Sequence, residues 1–447
     1  MILRTLRATD FRGYAELNVE LDGRLTVLAG DNAQGKTNFL RAVETLGMGD
    51  SAALAAGEAV RFGAEKAAVE GKVEKGGSSY DERLRVDLST ASRDGEQGSR
   101  AIRSGSLGKS VSGFGAGGEH GSPNAKSVSG FGAGVRLSLN GKTVPRSRWI
   151  GRLPVLFVGP EDRDQVTGPP SARRALLDEL LEQCEPEYLT ALREYRRALR
   201  QRNRALSRAE SSEEEIEIWE EPLARAGSIL LAHRLKAVSA LGPRATEWHR
   251  ELVGGGGGGG LGDGLAVEYV SEFPLAAAGA SASAIAKALA EALASARGHE
   301  RLFGSTLVGP HRDEVSISFA GRLLKGAGSS GEIWSAILSL AFASAEHLGR
   351  KLGSLPVLLL DDVLTALDAT RRERLLSVLM GFPQALLTTT HRPQALKEGS
   401  IRIFTVSGHH LELVAGKSPA RAGKMPADPN AGGKTEWEPD QGLLAPC

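Results

Sequence analysis

The stretch that most constrains the fold is LTVLAGDNAQGKTNFLRAV, residues 25–43. An apolar run (Leu25, Val27, Leu28) enters a turn bracketed by glycines and leaves it into a segment carrying Phe39, Leu40 and Val43 at helical spacing. Between them, Gly30-Asp31-Asn32-Ala33-Gln34-Gly35-Lys36-Thr37 fits the phosphate-loop pattern G-x-x-x-x-G-K-[ST] in the strand–loop–helix context that the pattern requires. Two glycines let successive backbone N–H groups curl around a polyphosphate, and the helix N-terminus adds its positive dipole. Lys36 would reach the β- and γ-phosphates, and the Thr37 hydroxyl would ligate Mg²⁺. The loop implies a nucleotide but leaves open whether it serves chemistry, motion or signalling.

A chain of 447 residues has room for two or three domains. Its 55 Lys and Arg nearly balance 54 Asp and Glu, so no global basic field advertises nucleic acid, and any such surface must be local. Two cysteines, Cys184 and Cys447, make no disulfide framework and suit a reducing compartment. The opening MILRTLRATDFRGY is charged every few positions, unlike a signal peptide, and no apolar run approaches the roughly 20 residues of a membrane helix. The expectation is a soluble, cytoplasmic chain.

Around the phosphate loop the pattern is strand-rich, with LRATDFRGYAELNVEL reading as paired strands. A Ser/Gly-rich insertion at 90–134 carries KSVSGFGAG twice, and its composition predicts disorder. LPVLFVGPED (153–162) resumes as a buried strand, and from Arg173 to Leu206 the leucines fall at helical spacing. On that helix Arg193, Arg196, Arg197, Arg200 and Arg204 share one face. Either it is solvated or paired with the following SSEEEIEIWEE, or it meets phosphate backbone, since multivalent Lys/Arg contacts gain from counterion release. A second helix is expected at about 219–242 and a flexible glycine run at 254–260.

LPVLLLDDVLTALD (355–368) is an apolar strand that ends in two acids. Asp361 stands where an acid would hold Mg²⁺, and Asp362 where one would polarise the attacking water. Packing does not explain two adjacent acids, because burying unpaired carboxylates is costly. ALLTTTH (385–391) is another apolar strand, here ending in His391. GAGSSGEIWSAILSLAFASAEHL (326–348) runs a loop into a helix, and Ser329 and Gly331 at its start make a second anion-binding turn. One nucleotide rarely needs two phosphate cradles in one chain.

In this order, the phosphate loop, Ser-x-Gly-Glu, Asp-Asp strand end, Leu-Thr-Ala-Leu-Asp and strand-His resemble the ATP-binding-cassette head, an α/β fold with a mixed sheet and helices. Within that class the chain resembles the RecF family of bacterial gap-repair proteins. LRATDFRGY, GDNAQGKTN, FVGPEDRDQVTGPPSARRALLD, STLVGPHRDE and LLLDDVLTALD carry the match over about 1–415, outside the insertion. The resemblance implies Lys36, Thr37 and Asn38 at the phosphates, Asp361 on Mg²⁺, Asp362 as catalytic acid and His391 as γ-phosphate sensor. Ser329, Gly331 and Asp368 would face across an ATP-dependent homodimer. Arg12 is placed near the base and Glu161 near the metal or its water. His311 and Arg312 in GPHRDE suggest a loop near nucleotide or DNA. The implied organisation is an ATPase head at 1–165 and 301–415, an inserted mainly helical lobe at 166–300, and a disordered tail at 416–447.

The function so implied is an ATPase that dimerises on ATP and holds duplex DNA near single-strand gaps. It would release the DNA after slow hydrolysis, and would act with RecR and RecO to load RecA. Rival readings are a transporter ATPase subunit, a chromosome-organising coiled-coil ATPase and a small-molecule phosphotransferase. The transporter shares the head motifs but not the arginine helix. The coiled-coil ATPase needs hundreds of heptad residues where about 130 are available. The phosphotransferase would have no use for Ser329.

Overall fold

The computed structural model describes residues 1–21, 24–49, 56–76, 81–90, 134–254, 264–271, 282–390 and 401–415. Most of the repeat-bearing insertion, nearly all of the glycine run, His391 and the tail lie outside these residues. The chain begins with the expected strand pair, β1 (Ile2–Phe11) and β2 (Tyr14–Glu20), joined by a tight turn. Next come β3 (Leu25–Ala29), α1 (Lys36–Met48) and α2 (Ala56–Ala59). An antiparallel run of β4 (Lys66–Glu74), β5 (Glu82–Ser89), β6 (Val135–Leu139) and β7 (Lys142–Thr143) then completes a sheet of order β2-β1-β4-β5-β6-β7. The insertion leaves and re-enters this sheet at one point, for Ser89 N–H donates to the Gly134 carbonyl at 2.8 Å.

After α3 (Arg146–Trp149) and β8 (Val155–Val158), the short α4 (Asp164–Thr167) leads into the lobe helices. These are α5 (Pro170–Cys184), α6 (Pro186–Leu206), α7 (Glu213–Glu217) and α8 (Glu220–Val253). The single helix expected from Arg173 to Leu206 is therefore two. Pro186 disfavours helical backbone at the residue before it, and Glu185 is extended with φ −125° and ψ 93°. Then come β9 (Leu265–Val270), α9 (Ala282–Phe303), β10 (Glu314–Phe319) and β11 (Arg322–Leu323). Strands β9, β10 and β11 form a small antiparallel sheet that spans the boundary expected at 300.

The chain returns through α10 (Ser330–Leu352), β12 (Val357–Leu360), α11 (Ala369–Gly381), β13 (Ala385–Thr389), β14 (Ile401–Ser407) and β15 (His410–Ala415). The central sheet has the order β15-β14-β3-β13-β12-β8, parallel except at β15. Its inner strands are apolar in nearly every residue because both faces are covered. Leu28, Leu359 and Leu386 pack with Phe39, Leu40 and Val43 of α1 and with the first sheet. Val27, Leu360 and Leu387 pack with α10 and the lobe. The phosphate-loop helix is thus held between two sheets, with the loop at the C-terminal ends of the parallel strands.

Candidate functional site

Sheet order assembles the site. The phosphate loop follows β3 and the two acids follow β12, with β13 hydrogen-bonded between them, so three strand ends open into one crevice. Thr37 Oγ1 donates to Asp361 Oδ2 at 2.8 Å, across 324 residues of sequence. Thr388 Oγ1, at the end of β13, donates to Asp361 Oδ1 at 2.6 Å and accepts from the Asp362 N–H at 2.9 Å. Asp361 is 6 % exposed, so these contacts fix its carboxylate.

Asp362 sits in the left-handed region at φ 51°, an uncommon conformation for a residue other than glycine. Its Oδ1 is buried and has no partner among the described residues. Burial first, then the neighbouring Asp361, raises its pKa, while Lys36 opposes the shift. A carboxylate held this way keeps an acceptor available and is biased toward taking up a proton.

Within the loop, Asp31, Asn32 and Ala33 are exposed, and Ala33 (φ 64°) and Gly35 (φ 107°) supply its left-handed turns. Lys36 Nζ donates to the carbonyls of Gly30 and Asp31 at 2.6 and 2.7 Å, which holds the ammonium against the loop. Gly30 admits no side chain, since a Cβ there would come within 2.4 Å of the Val406 carbonyl oxygen. The loop is also clasped from outside. Tyr14 Oη donates to the Gly35 carbonyl at 3.1 Å, the Gly408 N–H to Gln34 Oε1 at 2.6 Å, and the His409 N–H to the Gln34 carbonyl at 3.1 Å.

Glu161 follows β8 beside this crevice but meets a different partner. Its carboxylate accepts from Arg41 of α1 at 3.0 Å, and Arg41 also makes a bidentate pair with Glu44 and lies 3.9 Å over the Phe157 ring. Arg12, half-buried at φ 49° in the β1–β2 turn, belongs to the same group of charges. Burial and then Arg41 lower its pKa, while Glu161 and Glu44 act the other way. Among the described residues no group of three or more His, Cys, Asp or Glu is placed to hold a metal, so hydroxyl and carboxylate oxygens would have to share the task.

The remaining expected residues make their contacts with one another's helices and not with the loop, among the described residues. Ser329 is exposed and caps α10: its Oγ accepts from the Glu332 N–H at 3.3 Å, and its N–H donates to Glu332 Oε2 at 2.7 Å. Asp368 caps α11 by accepting from the Arg371 N–H at 2.9 Å. The Arg371 side chain lies across Gly331, where a Cβ would be 2.7 Å from Nη1. Ser329, Gly331 and Asp368 thus share one surface. Among the described residues no recorded hydrogen bond or ion pair joins them to Lys36, Thr37 or Asp361.

His311 is part of the lobe interior, with Nδ1 2.6 Å from Tyr195 Oη and Nε2 3.0 Å from the Thr306 carbonyl. Its neighbour Asp313 accepts from Tyr269 and Ser271, and Glu314 pairs with Arg173. GPHRDE is therefore a packing joint, with only Arg312 exposed. Sequence reasoning missed Thr388, Tyr14, Arg41 and His409. The threonines of ALLTTTH were the one visible signal among them.

A phosphate loop, a strand-end acid pair beneath it and a capped Ser-x-Gly helix on a separate surface define an ATP-binding-cassette type head. No protein-family model matches the chain, but its relatives are specific. It is 32 % identical over 397 residues to the DNA replication and repair protein RecF of Synechococcus sp. (strain JA-3-3Ab), covering 88 % of this chain and 92 % of that one. It is 33 % identical over 396 residues to that of Gloeobacter violaceus, with the same coverage. The chain belongs to the RecF family of DNA replication and repair proteins. Solved structures of the recombination mediator protein RecF–ATPrS and RecF–ATP in the RecFOR pathway share its fold. Their TM-scores are 0.74 and 0.73 at 23 % and 24 % identity, over 93 % and 92 % of this chain and 98 % and 97 % of theirs.

Proposed function

We propose that this protein is an ATPase in which ATP drives pairing of two copies on duplex DNA next to a single-strand gap, with slow, DNA-stimulated hydrolysis releasing the grip. One observation carries the reading. The chain has both a phosphate-binding crevice and the capped Ser329–Gly331–Asp368 surface, and the second is not joined to the first within the described residues. Two copies facing each other would bring each surface onto the other's nucleotide, so ATP contacts would exist only in the closed pair. A related protein of the same fold is a RecF–ATP structure, which supports the choice of nucleotide.

In this reading Lys36 and the loop amides hold the phosphates, with Asn38 at their nucleoside end, and Asp362 orients the attacking water and accepts its proton. Thr37 and Asp361 are hard oxygen donors of the kind Mg²⁺ takes, already 2.8 Å apart. The bound ion would neutralise charge on the phosphates. Glu161, tied to Arg41, and Arg12 flank the pocket, and His391 would sense the γ-phosphate. The DNA-facing surface we assign to α6. Arg196 pairs with Asp178 and Glu182, and Arg202 is buried against Glu220 and Glu300. Arg197, Arg200 and Arg204 of α6, and Arg208 just beyond its end, are exposed and have no recorded partner among the described residues. The acidic stretch that follows is taken by Arg297. RecR, with RecO, would act downstream to load RecA.

The test is fluorescence anisotropy of a gapped duplex titrated with protein in ATP–Mg²⁺ and in ADP–Mg²⁺ at fixed salt, using Asp362→Asn to keep ATP uncleaved. Asparagine tolerates the left-handed backbone at 362. Tight binding only with ATP, lost in Ser329→Arg, is the expected result. Equal binding in both nucleotides would sink the ATP gate. A monomer in ATP by light scattering would sink the composite site.

A further inference from the structure

The hairpin β14–β15 turns through two residues, Gly408 (φ 53°) and His409 (φ 64°), both left-handed, as a two-residue hairpin of the type I′ class requires. Glycine is the undemanding residue for such a position, yet 409 is a histidine. Its ring is laid on the phosphate loop. A Cβ added to Gly13 would meet His409 Nε2 at 2.0 Å, and one added to Gly35 would meet His409 Cδ2 at 2.7 Å. The edge of the ring meets Tyr14, with centroids 5.5 Å apart and planes at 88°. Two glycines, one on each side, are needed to seat this one side chain.

Neither ring nitrogen of His409 has a recorded hydrogen-bond partner among the described residues, although the residue is half-buried. Its backbone accounts for the hairpin's grip on Gln34, so the ring is not needed for that bond. The ring also lies at a particular end of the loop. In a phosphate loop the lysine takes the β- and γ-phosphates and the backbone amides the α- and β-phosphates, so the nucleoside leaves past the first helical turn. In this chain that turn presents Asn38, whose Nδ2 is 3.0 Å from where a Gly13 Cβ would stand, beside His409 Nε2. Arg12, Gly13, Asn38 and His409 are each half-exposed and adjoin there.

We infer that His409 is a wall of the nucleoside part of the site, contacting base or ribose from the far end of the chain, 373 residues after Lys36. The inference rests on the nucleotide-binding reading above and adds to it a specificity contact outside the phosphate loop. It also gives the last described hairpin a role: closure of β15 onto β14 carries the ring into place.

The test uses the full-length protein and three probes: ATP, ADP and inorganic tripolyphosphate, each titrated calorimetrically in Mg²⁺. The variants are His409→Asn, which keeps a residue tolerant of the left-handed turn, and His409→Ala. Loss of a ring contact predicts about a tenfold rise in Kd for ATP and for ADP alike, with tripolyphosphate unchanged. Equal weakening of all three would mean that the ring only braces the loop, and would overturn the assignment. Unchanged Kd for all three would overturn it as well. If the wild type binds none of the three while Lys36→Ala behaves identically, it is the nucleotide reading itself that fails.

Discussion

The crevice and the lobe use the same residue types in opposite ways. In the lobe, Arg234 is buried and fully engaged: Nε and Nη2 donate to Asp178 Oδ1, Nε also to Tyr188 Oη, and Nη1 to the Pro310 carbonyl and Tyr269 Oη. Arg202, 0 % exposed, reaches Glu300, Glu220 and Thr306 and leaves only its Nε without a partner. In the crevice Lys36 rests on its own loop's carbonyls and Asp362 keeps a buried oxygen unmatched. Buried cations met by acids from the packed interior are scaffold, whereas an unmatched acid oxygen at a strand end beside a phosphate loop is a place prepared for something else.

The largest effect should come from breaking the lobe. Arg234→Met leaves Asp178 buried without its main cation, which typically costs about 3–5 kcal/mol. Urea unfolding should show a loss of that order, and the double variant Arg234→Met/Asp178→Leu should recover part of it. A loss below about 1 kcal/mol would mean that the network contributes little and that the contrast with the crevice is overdrawn. Lys36→Ala should do the reverse. ATP turnover should fall by about 100-fold or more, the scale of losing one transition-state donor, while the urea midpoint stays where it was. A variant that also unfolds more readily would show the lysine to be scaffold after all.

A smaller effect should separate the two faces of α6. Replacing Arg200 and Arg204 together by Gln should weaken duplex binding and reduce the slope of log K against log salt by about 2, one unit per lost phosphate contact. Stability should be untouched because neither has a recorded partner among the described residues. An unchanged salt slope would move the DNA surface elsewhere.

Features with fixed local spacing were legible in the sequence. GDNAQGKT and LLLDD need contiguous residues, and the two-face burial of the parallel strands wrote itself as unbroken apolar runs. The break before Pro186 was also written there, but leucine periodicity on both sides concealed it. GPHRDE stands out by polarity, which by itself suggests a ligand. Its histidine and acids meet Tyr195, Tyr269 and Arg173, partners that periodicity does not reveal. The Gly13–His409 clasp depends on the pairing of β14 with β3, hundreds of residues apart, and no local signal marks it.

The seam between the two regions offers the finest test. A cavity of about 70 Å³ opens where α1, β8, α5 and α10 meet, lined by Glu44, Asp162, Glu179, Leu180 and Ile337. Asp162 Oδ2 accepts from the Gly159 N–H and Oδ1 from Gln165. Burial pushes Asp162 up to about 7, with Glu44 and Glu161 adding to the shift and the Gly159 bond and Arg41 opposing it. A raised carboxyl pKa means that the fold favours the neutral acid. Its contribution is therefore greatest below the unfolded value near 3.8 and declines as pH rises toward 7. Asp162→Asn removes the titration and can keep the Gly159 bond, so its urea midpoint should fall less than the wild type's between pH 5 and pH 8. Residual solvent contact limits the difference to about 1 kcal/mol or less. Parallel pH profiles would show that the seam tolerates the charge as well as the exposed surface does. A flatter variant profile would place the seam with the crevice, as a buried acid with less compensation than the lobe gives its own.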